Sequence, residues 1–427
     1  MPGCPKSKVR LNSHLRTMVL NRVWIGMFLI ALVMGFSKLI FWQDTQILQT
    51  MMDALFAASK TGFEIALYMT GALCLWMGIM KIGEDGGAVR IMSRIVSPLF
   101  TRLFPEVPKD HPAVGSIMLN FSANMLGLDN AATPAGLKAM KDLQELNPKP
   151  DTASNAQIMF LVLNASGLTI IPVSILAARA AGGSTEPTSV FLPILITTYF
   201  ATLAGLIYVS IRQRINLLDK VVLAYVGTLT LIIGWLMYYL TTHPEQIKVV
   251  SSVVGNVIMF LFIAFFFILA IRSKIQLFES FIEGAKGGFG VAINIVPYLV
   301  AMLAAIALFN ASGALLDLMN GIRFLLMLAG VTALEFIDAL PVIFMKPFSG
   351  SGARALMVQN MQAFGPDSFV SNLSATFQGS TETTFYVLAV YFGSVRITHT
   401  RYAAWAGIIC DIVGGVVAVL VAYVFFK

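Results

Sequence analysis

The sequence predicts an all-α, polytopic membrane protein of about 9–10 transmembrane helices, with two inverted repeats, re-entrant hairpins and discontinuous helices. Three observations carry that expectation. Of 427 residues, 57% are hydrophobic and only 12% charged, and the mean hydropathy is +0.79, far more apolar than a soluble core uses. Long apolar runs are interrupted by strongly polar segments, which hydrocarbon tolerates only where they are buried in protein or line a wet cavity. Short stretches of the first half also recur in order in the second. The net charge of +7 sits mostly in the connections, as loops on the inner side of a membrane do, so it does not argue for nucleic-acid binding.

The first ~22 residues carry Lys6, Lys8, Arg10, Arg16 and Arg22 and precede an apolar run over 23–42, long enough to span and without a small-residue cleavage pattern behind it. This predicts an uncleaved helix with a cytoplasmic N-terminus. A connection with Asp44 and Asp53 leads to a second span over 63–80, whose far end meets Lys81, Arg90, Arg94 and Arg102. That charge bias predicts a return to the cytoplasm. Residues 91–104 alternate Arg94 and Arg102 with apolar positions at helical spacing, which fits an amphipathic helix on the membrane or a soluble cytoplasmic helix equally well.

Residues 120–136, with Asn120, Asn124, Gly127, Asp129, Asn130, Thr133, Pro134 and Gly136, are too polar and broken for a lipid-facing helix. Basic residues on both flanks predict a re-entrant hairpin. The run 156–178 is interrupted by Asn164, Ser166, Gly167, Thr169 and Pro172, predicting a discontinuous helix; polar gluing between helices is the plainer reading. Spans over 190–211, 221–240 and 253–271 follow, with Arg212, Arg214, Lys220, Arg272 and Lys274 marking inner ends.

The repeat then begins. Residues 59–66 align with 285–292 at an offset of 226 (Lys60 to Lys286), 136–140 with 352–356 at 216 (Lys138 to Arg354), and 164–166 with 378–380 at 214 (Ser166 to Ser380). About five crossings separate the copies on the span criterion, an odd number, so the second copy enters from the opposite face. The second half brings its own polar breaks. Glu335 and Asp338 share a helical face ahead of the flexible 347–352 turn and are site candidates, unless they pair with Arg323, Lys346 or Arg354. The segment 378–384 contains Gln378, Ser380, Thr381, Glu382 and Thr383 and no large apolar side chain; Glu382 there would attract a cation or accept bonds from a solute. Asp411, in the last apolar run, reads as a relay or as a helix-packing acid, with packing favoured.

The stretch 120–136, with His111, Pro112 and Ala113 before it and 138–148 after it, resembles the hallmark of spore maturation protein A. Residues 283–289, 296–302, Ser312, Gly313 and 378–386 resemble spore maturation protein B. The chain is thus similar to a fusion of both, which belong to the nucleoside-recognition, or Gate, group shared with concentrative nucleoside transporters and the membrane part of ferrous-iron transporters. The resemblance implies Gate-type repeats and three parts: 1–57, an N-terminus with a leading helix; 58–245, like spore maturation protein A; and 246–427, like spore maturation protein B. It likens 378–384 to the Gly-Gln-Thr-Glu hairpin of nucleoside transporters. Ser380 is inserted, however, and Thr383 and Thr384 replace Ala-Pro, so the ligand does not carry over. No Gly-Lys pair occurs to form a phosphate-binding loop like that of the iron transporters' GTPase.

The expectation is a secondary transporter of a small polar solute, nucleoside-like or another metabolite, in a bacterial inner membrane, or alternatively a non-transporting scaffold for envelope or spore-cortex assembly. Transport implies a coupling ion, sodium or proton, with no cofactor and no metal site. Its partners would be the solute and membrane lipids, with no nucleic acid; a homo-oligomer stays open. The site would be lined by Asn124, Asp129, Asn130, Thr133, Asn164, Ser166 and Thr169 from one half. Glu335, Asp338, Ser349, Ser351, Gln378, Ser380, Thr381, Glu382 and Thr383 would line it from the other. Isolated His14, His111, His243 and His399 and scattered Cys4, Cys74 and Cys410 give no catalytic or metal pattern, so no enzyme is expected.

Overall fold

The computed structural model describes the chain from residue 9 onward except Val331, without the side chains of residues 9–23, 129–131, 248, 252, 295 and 298. In chain order the helices are α1 (Val9–Phe41), α2 (Ile47–Gly86), α3 (Ala88–Leu103), α4 (Pro112–Met125), α5 (Asp129–Glu145), α6 (Asn155–Ser166) and α7 (Val173–Ala181). Then come α8 (Phe191–Gln213), α9 (Lys220–Thr242), α10 (Ile247–Arg272), α11 (Leu277–Ala311), α12 (Ala314–Leu328), α13 (Leu340–Met345), α14 (Gly350–Phe364), α15 (Phe369–Ser380), α16 (Thr384–Ser394) and α17 (Ala403–Phe426). Short 3-10 turns lie at Pro187–Val190, Pro244–Gln246 and Glu335–Ala339. Among the described residues there is no strand, only one isolated bridge between Thr152 and His399.

Among the described residues, seven helices are long and apolar enough to cross a membrane. The broken pairs α6 with α7 and α15 with α16 hold no helix long enough to span alone, so the candidate spans are fewer than the roughly 9–10 expected. The second span differs from its expectation: α2 is one helix of 40 residues, about 60 Å long at 1.5 Å per residue. The stretch around Asp53, read as a connection, is therefore helical. Pro134 and Gly136 also fail to break the chain, since α5 runs through both; the hairpin turns only at 126–128, where Gly127 takes φ 70°. Gly136 has a different use, because a Cβ there would lie 2.5 Å from the Tyr391 hydroxyl.

The repeat is visible in the geometry. The offset of 214 carries Asn155–Ser166 onto Phe369–Ser380, two helices of 12 residues. It also carries Ser154 onto Ser368, and each caps its helix by accepting the N–H three residues on. A side-chain oxygen there satisfies a donor that a helix start leaves orphaned. The offset of 226 carries Gly62 onto Gly288 and Cys74 onto Val300, and these four residues meet crosswise. A Cβ at Gly62 would lie 3.1 Å from the Val300 backbone, and one at Gly288 2.9 Å from the Cys74 Cα. Glycines thus let α2 and α11 approach backbone to backbone, antiparallel, as small residues do between membrane helices.

The broken helices run in opposite directions. The start of α6 is tied to the loop after α16 by Ala153 N–H to the His399 carbonyl, 3.0 Å, and Thr398 N–H to the Asp151 carbonyl, 2.9 Å. The start of α15 is tied to the end of α7 through Arg179 and Asp367, 3.1 Å apart. The α4–α5 hairpin has its base on the first of these faces, where Asn147 donates to the Thr152 carbonyl at 3.0 Å. The α13–α14 hairpin has its base on the second, joined to α15 by the 365–368 loop. Segment 322–345 folds as the end of α12, a 3-10 turn and the short α13, with no single helix running through it.

Single cysteines at Lys141 and Gln362, both exposed near hairpin bases, are expected to react with an impermeant thiol reagent from opposite sides of sealed vesicles. Labelling of both from one side would contradict the inverted arrangement. Ala355, the repeat position nearer the hairpin tip, is fully buried and would not report.

Candidate functional site

Each hairpin tip rests on a helix break. On the first side, Ile170 N–H donates to the Met125 carbonyl at 2.8 Å, and a Cβ at Gly127 would lie 2.7 Å from the Ile171 carbonyl. On the second, Phe385 N–H donates to the Pro347 carbonyl at 3.0 Å. There the Lys346 ammonium donates to the Gln378 carbonyl at 2.7 Å, and the Gln378 amide to the Gly350 carbonyl at 3.1 Å. The two breaks abut. Glu382 N–H donates to the Ala165 carbonyl at 2.9 Å, one of the carbonyls that α6 leaves unpaired where it ends. Gly167, at φ 62°, makes room for this approach.

Around this junction lies a cavity of about 410 Å³, within the size range of small-molecule sites. Of the expected residues it brings together Asn124, Thr133, Asn164, Thr169, Gln378, Thr381 and Glu382. The side chains of Asp129 and Asn130 lie outside the described residues, although Leu128 and Ala132 on either side line the wall. One wall is a chain of neutral polar groups: Asn124 donates to the Asn164 carbonyl oxygen at 2.8 Å, and the Tyr391 hydroxyl donates to the same oxygen at 3.3 Å. Asn120 in turn donates to that hydroxyl at 3.4 Å. Glu382 is exposed to the cavity, its carboxylate facing the Thr383 N–H at 3.4 Å. The Gln378 carbonyl oxygen of the side chain is buried without a hydrogen-bond partner, leaving an acceptor for an incoming donor.

Other expected residues lie off the cavity lining. The Ser166 hydroxyl is buried against α8, accepting from Thr202 at 3.0 Å, and Ser380 bonds back to the Phe377 carbonyl at 2.8 Å. Ser349 caps α14 by accepting Gly352 N–H at 3.0 Å, with Ser351 beside it at 3.3 Å. Thr383 is buried beneath Gly350. Glu335 sits at the outer end of the second hairpin, accepting the Tyr423 hydroxyl at 2.9 Å and pairing with Lys427. Asp338 pairs with Arg323 at 3.6 Å, one of the partners weighed for it.

The cavity also recruits residues that the sequence reading left out of the site. Lys81 and Glu84 line it near the end of α2, Lys346 and Arg354 from the second hairpin, and Tyr386 and Tyr391 from α16. A signal existed for Lys346 and Arg354, since ionisable groups in an intramembrane hairpin are costly; the tyrosines sit in an apolar run and offered none. Among the described residues no cluster of three or more His, Cys, Asp or Glu is placed to hold a metal ion.

Residues 66–182 match the family described as Gate, nucleoside recognition. Spore maturation protein A of Bacillus subtilis (strain 168) is 36% identical over 189 residues, covering 44% of this chain and 93% of that protein. Spore maturation protein B of the same organism is 38% identical over 153 residues, covering 36% of this chain and 84% of that protein. With a polytopic helical fold, a Gate match and homology to both proteins over most of their lengths, the chain belongs to the spore maturation protein A and B family of nucleoside-recognition (Gate) membrane proteins.

Proposed function

We propose that the protein is an ion-coupled secondary transporter of a small polar solute rather than an enzyme, and that the solute binds where the two helix breaks meet. The observation that carries this is the junction itself: α6 and α15 end against one another at the Glu382–Ala165 bond, beside a polar cavity of about 410 Å³. Half-helix ends offer unpaired N–H and C=O groups to a solute, and neutral amides and hydroxyls fix its orientation. The cavity extends toward Lys81 and Glu84, near the end of α2 and the basic connections. The opposite face is closed by Arg179 and Asp367. On the positive-inside rule this is a state open to the cytoplasm of a bacterial inner membrane, with a cytoplasmic N-terminus. Nucleoside recognition in the family name supports a nucleoside-like solute as the first class to test.

Purified protein screened against polar metabolites is expected to gain thermal stability with one solute class. A ligand at one hundred times its Kd contributes about 2.7 kcal/mol to the folded state. Asn164→Leu removes the shared acceptor of Asn124 and Tyr391 and is expected to abolish that gain. Absence of any stabilising solute, or full stabilisation of the Asn164→Leu variant, would argue against this reading.

A further inference from the structure

We infer that Asp411 is a proton-binding site that sets the conformation of the α15–α16 break. Asp411 is 6% exposed and lies about 12 Å along α17 from its first residue at 1.5 Å per residue. Its carboxylate accepts the Thr381 hydroxyl at 2.8 Å on one oxygen and the Thr384 hydroxyl at 2.7 Å on the other. Those two threonines are the first residue beyond α15 and the first residue of α16. One carboxylate therefore clamps both lips of the break, and α17 is shaped for it. A Cβ at Gly407 would lie 2.4 Å from Thr384 Cγ2, and one at Gly414 3.1 Å from Thr381 Cγ2.

The clamp depends on ionisation. A carboxylate has only acceptors and satisfies both hydroxyls at once, whereas a protonated carboxyl presents an O–H that must itself donate. Binding one proton thus forces one threonine hydroxyl to turn round or let go. Thr381 lines the cavity, so the proton has a path from water in the cavity to the carboxylate oxygen, and back on release. The other charged and titratable groups nearby are few. Lys346 acts on Asp411 electrostatically from the second hairpin, Glu382 follows Thr381 at the break, and Cys410 adjoins it on α17. Tyr386 and Tyr391 lie further along α16. Of the other helices packed on α17, α6 has no ionisable residue, and α8 has Tyr199, Tyr208 and a last-turn Arg212. A buried carboxyl in a membrane segment is costly to keep without a use.

The role in coupling rests on the transport reading, but the proton site is read without any solute. Hydrogen exchange of the full chain in lipid nanodiscs, followed on the peptide over 377–386 and corrected for intrinsic rates, reports the break directly. Wild-type protection is expected to fall about tenfold on acidification, followed in a titration from about pH 9 to about pH 4. Asp411→Asn is expected to be flat and unprotected. Thr384→Val, which keeps the carboxylate but removes one hydroxyl, is expected to move the midpoint. A response that persists unchanged in Asp411→Asn, or an unmoved midpoint in Thr384→Val, overturns the proposal. So does a response that vanishes in Glu382→Gln and survives in Asp411→Asn. A pH-dependent clamp in a protein that binds no solute would uphold the site and count against transport, so the two failures are distinct.

Discussion

Arg179→Met is expected to lower the unfolding free energy by about 3 kcal/mol, the low end for breaking a buried ion pair because Asp367 keeps some contact with water. The Arg179 side chain is 0% exposed and Asp367 36%. The guanidinium donates to the carbonyls of Pro187 at 3.3 Å, Pro366 at 3.2 Å and Glu186 at 3.3 Å, and to Asp367 at 3.1 Å. Met fills the volume but leaves those acceptors unpaired. Arg179→Lys is expected to recover only part of the loss, because an ammonium cannot span the same fork. Thermal unfolding of the purified protein measures this; a change under about 0.5 kcal/mol would show that the latch is incidental.

The same latch predicts an acid dependence. Burial pushes the Asp367 carboxyl up, but the Ser184 hydroxyl, the Thr185 N–H and hydroxyl, and the Arg179 charge more than reverse this and hold it below the ordinary carboxylate value. A depressed carboxylate contributes stability that is present above its unfolded value, about 3.9, and lost as pH falls through the folded one. Stability owed to the latch should therefore be flat from neutral pH to about pH 5 and fall below about pH 4, and Asp367→Asn should remove that fall.

Gly167→Val is expected to cost about 2–4 kcal/mol and to abolish solute-induced stabilisation. Gly167 has φ 62°, which an L residue occupies at about 1–2 kcal/mol. A Cβ there would also lie 2.9 Å from the Glu382 nitrogen and 3.2 Å from the Thr381 carbonyl carbon. The breaks would be wedged apart and the Glu382–Ala165 bond lost. Gly183→Val separates the two effects, since Gly183 has φ 82° but nothing within 4 Å of a Cβ. It should show the backbone strain alone, with solute response intact. Equal behaviour of the two variants would remove the junction from the mechanism.

What was legible in the sequence was what leaves a polar or small residue in an apolar run. Gly167 and Pro172 mark the first break, and Thr381 to Thr383 the second. What was not legible depends on where the chain folds back. Glu335 and Asp338 do share a face, since residues three apart eclipse in the 3-10 turn that holds them, but the turn lies at the hairpin's outer end, where Tyr423, Lys427 and Arg323 take up the two acids. Lys346 was considered as their counter-ion, yet the hairpin tip turns it inward to the Gln378 carbonyl. Asn120 looked like part of the loop; it lies within α4 and reaches Tyr391, 271 residues away.

The crosswise meeting of Gly62 with Val300 and Gly288 with Cys74 has the form of an isologous contact, the kind that two identical subunits make across a two-fold axis. A single ancestral half inserted in both orientations would have owned the same self-complementary seam. The fused chain keeps that seam inside one molecule, so coexpressed fragments divided in the loop before α10 are expected to reassociate through α2 and α11.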